Sequence, residues 1–121
     1  MTYVESQIMS KLMLDAHKIF AKEAFDGRMS MGKIIRTVAD FYHVTEIDIL
    51  SDCKSLDIVK PRHVAMYLSR TMTTNSLSQI GRRFNRDDTS GHYGFRKIEA
   101  SLRTDEKLRY EIDVIRGALQ Q

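Results

Sequence analysis

Between Arg82 and Ser90 the chain concentrates side chains that can grip a polyanion: Arg82, Arg83 and Arg86, then Asp87, Asp88, Thr89 and Ser90. Guanidinium groups neutralise phosphate or fork onto a guanine edge, and short hydroxyls reach base edges or a thymine methyl. The same residues would also suit an ordinary helical corner with solvated charges, so the corner alone leaves both readings open. Other chemistry has less support. His17, His43, His63 and His92 are scattered, with no i, i+4 pair beside a carboxylate to suggest a zinc helix. Cys53 is the single cysteine, so it makes no internal disulfide, and it lacks a partner at metal-site spacing. Asp87 and Asp88 would serve as paired carboxylates in acid–base work, but they fit better as helix N-caps. No catalysis, metal or cofactor is expected.

Charge points to the same part of the chain. Residues 1–50 carry six Lys/Arg against seven Asp/Glu, and residues 104–121 carry three against four. Residues 51–103 carry ten against five, among them Lys54, Lys60, Arg62, Arg82, Arg83 and Arg86. Phosphate contacts dominate nucleic-acid affinity, so a basic block of this kind suits a polyanion footprint. A solvated basic face would look similar. No run approaches the roughly 18 apolar residues of a membrane span, and the N-terminus lacks the order of a signal peptide. A soluble, cytoplasmic protein is expected, with a reducing surrounding for Cys53 and no membrane partner.

Helical signals position these residues. Thr2 to Glu5 reads as a capping box, followed by apolar stripes of Val4, Ile8, Leu12 and Ile19 and of Met9, Met13, Ala16 and Phe20. That apolar arc is wider than a surface helix needs, so this N-terminal helix packs either in the domain's own core or against a second copy. Asp26-Gly27 ends it, which divides the chain into residues 1–27 and 28–121. Ser30 caps a second helix to about Tyr42, with Ile34, Ile35, Val38 and Phe41 inward. Thr45 caps a short third. Residues 51–59 lose periodicity and read as a loop, with Pro61 near the start of a fourth helix that ends near Thr73. Ser76 to Gln79 is a second capping box, opening a short helix to Arg83. After Phe84-Asn85-Arg86 a helix follows with Gly91, Phe95, Ile98 and Leu102 on one face. Thr104 caps the last, with Leu108, Ile112, Ile115 and Leu119 inward. No segment sustains period-two alternation. The expected fold is an all-α bundle of about six helices with an extra N-terminal helix.

Two helices joined by about three residues, with Gly81 inside the first, match helix-turn-helix spacing. The stretch from about Ile34 to Glu99 resembles domain IV of the bacterial replication initiator DnaA. Residues 37–42 with 48–51 resemble its opening elements. Lys60-Pro61-Arg62-His63-Val64-Ala65-Met66-Tyr67-Leu68 is similar to the family's R-P-R-Q-x-A-M-x-L. Ser76-Leu77-Ser78-Gln79-Ile80-Gly81, then Phe84 and Arg86-Asp87, resembles S-L-P-E-I-G-x-x-F-G-G-R-D-H-T-T-V, and Arg96-Lys97-Ile98-Glu99 matches R-K-I-E.

The resemblance implies double-stranded DNA as the partner. By position, Arg62 would hold phosphate or a base edge, and Lys54 falls where the family places an arginine in the minor groove. Arg86, Asp87, Thr89 and Ser90 fall on the R-D-x-T-T positions of the recognition helix. Three departures stand out: Asp88 replaces the family's histidine, one turn glycine is missing, and Gly91 and Gly94 each weaken the helix by about 1 kcal/mol against alanine. No G-x-x-x-x-G-K-[ST] stretch occurs, so a freestanding domain IV relative that binds no nucleotide is expected. The expected function is sequence-preferring DNA binding that regulates transcription or replication. The alternative is a protein-interaction module on a degenerate domain IV fold, acting through its N-terminal helix. A homodimer through Ile8, Leu12 and Phe20 fits either reading.

Overall fold

Ser30, Thr45 and Ser76 each hold extended backbone, and each side chain accepts from the amide three residues on, at 3.1, 2.9 and 3.1 Å. Asp48 Oδ2 and Gln79 Oε1 accept in return from the amides of Thr45 and Ser76, completing two capping boxes. These caps satisfy amides that have no helical acceptor, and so fix where three helices begin. The computed structural model describes residues 29–85 and 88–121, with the side chains of residues 88–91 outside that description. Its helices are α1 (Met31–Tyr42), α2 (Glu46–Leu50), α3 (Leu56–Met72), α4 (Leu77–Arg83), α5 (Asp88–Ser101) and α6 (Glu106–Leu119). Among the described residues there is no strand, and no helix is long and apolar enough to cross a membrane. The N-terminal helix expected from Thr2 onward, and the dimer contact placed on it, lie outside the described residues.

The apolar spacing of each helix becomes one core. Ile34, Ile35 and Val38 of α1, Ile49 of α2, and Val64, Ala65 and Leu68 of α3 are buried together. Ile80 of α4, Ile98 of α5, and Leu108, Ile112, Ile115 and Leu119 of α6 complete it, with Phe84 sealing the corner after α4. Each fully buried aliphatic or Phe side chain contributes roughly 1.5–3 kcal/mol relative to exposure. Long α3 is the central strut, packing against α1, α2, α4 and α5, while α6 lies along α1. Tyr42, at the end of α1, donates to Glu111 of α6 at 2.8 Å, and Glu111 pairs with Lys60 of α3 at 3.0 Å. Three helices are thereby joined by one polar cluster.

Two boundaries differ from the sequence-based expectation. α3 begins at Leu56, so the loop is confined to residues 51–55 and Pro61 sits inside the helix. The first turn is held by the Ser55 carbonyl, which accepts from Ile58 and Val59. Pro61 has no N–H for the Asp57 carbonyl, a cost the helix bears because the proline ring is buried in the core. The last helix is capped by Asp105, not Thr104: Asp105 Oδ1 accepts from the Leu108 amide at 2.9 Å. Thr104 instead lies in the turn whose amides bond back to the end of α5.

Candidate nucleic-acid interface

The helix pair α4–α5 starts from the Ser76 capping box and turns at Phe84-Asn85. Phe84 is fully buried, and its amide bonds back to Ile80 and Gly81. Asn85 follows with φ 58°, in the left-handed region. Asparagine tolerates that region better than other residues with a Cβ, so it can take over part of the work of a turn glycine. Gly81 is buried within α4, and α4 packs closely on α5. The geometry is a short helix ended by Phe84 and Asn85 and a longer helix packed against it.

Where α5 crosses α3, side chains of α3 press against the α5 backbone at Gly94. Gly94 is buried, and a Cβ there would stand 2.5 Å from Met66 Sδ and 3.1 Å from His63 Cδ2. On either side of this point rings meet: His63 with Tyr93 edge-on at 5.6 Å, and Tyr67 with Phe95 stacked at 5.5 Å. Gly94 therefore does more than weaken a helix. It leaves room for the Met66 and His63 side chains against α5.

The site residues expected from sequence separate into distinct groups. Arg82 and Arg83 are exposed in the last turn of α4, and Lys54 is exposed on the loop before α3. Asp88, Thr89 and Ser90 open α5, with their side chains undescribed, and Arg86 and Asp87 lie outside the described residues. Lys60 is engaged within the protein: besides its ion pair with Glu111, its ammonium lies 5.6 Å from the centre of the Tyr42 ring.

Arg62 requires correction. It was expected to face phosphate or a base edge, yet it is only 3% exposed. Its Nε donates to the Ile49 carbonyl at 2.8 Å, one terminal nitrogen to Cys53 at 2.9 Å, and the other to Ser51 at 2.8 Å and Asp48 at 3.3 Å. The Asp48 and Ile49 carbonyls belong to the end of α2, where helical donors run out. A planar fork of donors suits this arrangement of acceptors better than any point charge does. Hydrogen bonds to a charged donor contribute about 1.5–3 kcal/mol each, against the several kcal/mol needed to desolvate the ion. The gain is mainly in the shape of the chain between α2 and α3.

A groove of about 790 Å³ between α3 and α5 is lined by Lys54, Tyr93 and Lys97. Asp52, Lys60, His63 and Asp105 also line it. Tyr93 and Lys97 were not singled out from sequence, although they stand one helical turn apart, at i and i+4, on α5. Tyr93 is 59% exposed. The cysteine nearby, Cys53, is exposed, and no cluster of three metal-ligating side chains occurs among the described residues.

Comparison with known proteins agrees with this geometry. The family profile of the bacterial DnaA protein helix-turn-helix matches residues 31–98. The chromosomal replication initiator protein DnaA of Xanthobacter autotrophicus is 42% identical over 90 residues, which cover 74% of this chain and 18% of that protein. The DnaA of Nitrobacter hamburgensis is 42% identical over 95 residues, 78% of this chain and 20% of its own length. That of Jannaschia sp. is 34% identical over 98 residues, 80% of this chain and 21% of its own. The chain thus spans about a fifth of the length of these relatives.

Proposed function

The chain belongs to the family of bacterial DnaA helix-turn-helix domains, and from that premise we propose that it binds double-stranded DNA with sequence preference. In this reading the first turn of α5 enters the major groove, with Thr89 and Ser90 meeting base edges and Asp88 available to accept from cytosine. Arg82, Arg83 and Arg86 neutralise phosphate, and Lys54 reaches the adjacent minor groove. The protein acts without catalysis, in the cytoplasm, as a regulator of replication or transcription. The observation that carries the reading is the corner itself. A capped α4 ends at Phe84 and left-handed Asn85 and packs against α5, with Arg82 and Arg83 exposed in its last turn.

Mobility shift on a generic duplex over a range of salt tests this function. Phosphate neutralisation predicts binding at low salt that falls steeply as salt rises, with a slope near −0.9 per phosphate contact. Absence of binding at every salt concentration would instead support a protein-interaction module.

A further inference from the structure

Arg62 spends a buried cation on backbone carbonyls, and those carbonyls are not scattered. They belong to Asp48, Ile49, Ser51 and Cys53, the run that leads straight into Lys54. Ser51 reinforces the same path. Its hydroxyl donates to the Asp48 carbonyl and accepts from the Cys53 amide at 3.2 Å. Residues 52–55 themselves are exposed, so little apolar packing holds them. Their course is set chiefly by polar bonds converging from the interior of α3.

We propose that Arg62 is a positioning residue for DNA recognition: from inside α3 it holds the 51–55 loop in the form that presents Lys54 to the duplex. The inference rests on the DNA-binding reading of Lys54. A loop ordered before binding loses less conformational freedom on docking than one that must be ordered by the DNA. The narrow minor groove of A·T-rich duplex attracts an inserted cation more strongly than a G·C-rich one. The positioning of Lys54 should therefore register as flank preference, beyond any change in total affinity. Lysine cannot replace Arg62 in this role. It keeps the charge, but one ammonium cannot reproduce a planar fork onto four carbonyls.

The test measures affinity on two duplexes that share a core site and differ only in A·T or G·C flanks. Wild type, Arg62→Lys, Lys54→Ala and the double variant are compared, with circular dichroism reporting the folded fraction. Arg62→Lys is expected to reduce the A·T-over-G·C ratio to the level of Lys54→Ala, with no further loss of that ratio in the double variant. A phosphate contact by Arg62 would leave the ratio intact, as would a purely structural role, which lowers both affinities together. Either result overturns the proposal, and so does a loss of ratio in the double variant that adds to that of Lys54→Ala. If Lys54→Ala leaves the ratio unchanged, the minor-groove reading of Lys54 itself has failed, and the positioning role falls with it. Should Arg62→Lys not fold, Ser51→Ala decides. It removes the hydroxyl's bonds to Asp48 and Cys53 while leaving Arg62 in place, and should lower the same ratio by a smaller factor, and an unchanged ratio would contradict the inference.

Discussion

Gly94 of α5 lies against Met66 of α3 so closely that a single added carbon would stand 2.5 Å from the Met66 sulfur. Met66 is 1% exposed, so its side chain has little space into which to retreat. Two effects of Gly94→Ala therefore oppose one another. Alanine raises helix propensity by about 1 kcal/mol, whereas overpacking a dense core costs about 1–3 kcal/mol. The clash should prevail. Urea denaturation is expected to show Gly94→Ala less stable than wild type by ~1–2 kcal/mol, and the same substitution is expected to cost less in a Met66→Ala background than in wild type. A more stable Gly94→Ala protein would mean that α3 and α5 are not in this close register.

The polar cluster of Tyr42, Glu111 and Lys60 gives a pH dependence of defined sign. Burial, followed by the hydrogen bond to Glu111, pushes the Tyr42 hydroxyl well above its ordinary value. A raised acid binds its proton more tightly in the folded state than in the unfolded chain. Its contribution is thus fully present below about pH 10 and is lost as pH rises beyond the unfolded value. Alkaline difference spectroscopy should show Tyr42 ionising only as the protein unfolds. Tyr42→Phe should remove that late step and cost ~1 kcal/mol at neutral pH. Ionisation of Tyr42 before any loss of helicity would contradict its half-buried hydrogen bond to Glu111.

Much of this fold is legible in the sequence because helix starts are local events. Ser30, Thr45 and Ser76 announce their helices by a hydroxyl three residues ahead of the amide it caps, and all three bonds form. The start of α3 is hidden, because Pro61 imitates a first-turn proline while the true first turn rests on backbone bonds from Ser55. Arg62 is hidden for a different reason. An arginine in a basic stretch reads as a phosphate contact, and only the three-dimensional course of residues 48–53 reveals carbonyls waiting for it. Gly94 reads as a weak helical position until the opposing Met66 and His63 are in place. Tyr93 and Lys97 become candidates only when the fold carries the Lys54 loop to them.

On the proposed reading, Arg82 and Arg83 would contribute affinity without specificity. Both are exposed at the end of α4, where phosphate contact would be independent of base sequence. Replacing either with alanine should weaken binding about equally on specific and random duplex, and should reduce the salt slope by about one unit per lost contact. The measurement is a salt series on both duplexes. A loss confined to the preferred site would assign the arginine to a base edge instead.

The opposite partition is expected at the start of α5. Thr89→Ala or Ser90→Ala should cost ~1–3 kcal/mol on the preferred site and little on random DNA. Titration of both duplexes at one salt concentration reads this directly. Equal losses on the two would place these hydroxyls on phosphate.

Asp88 provides the most direct test of the central claim, that the first turn of α5 reads the duplex. A carboxylate can accept from cytosine but repels phosphate, whereas histidine is the residue that the related family pattern carries. Selection of bound sequences from a random duplex pool, run in parallel on wild type and Asp88→His, measures what this position does. The expected result is a defined consensus for wild type, and for Asp88→His a stronger-binding set with a displaced consensus. No consensus for wild type, or the same consensus and affinity for both proteins, would mean that α5 does not dock by its first turn.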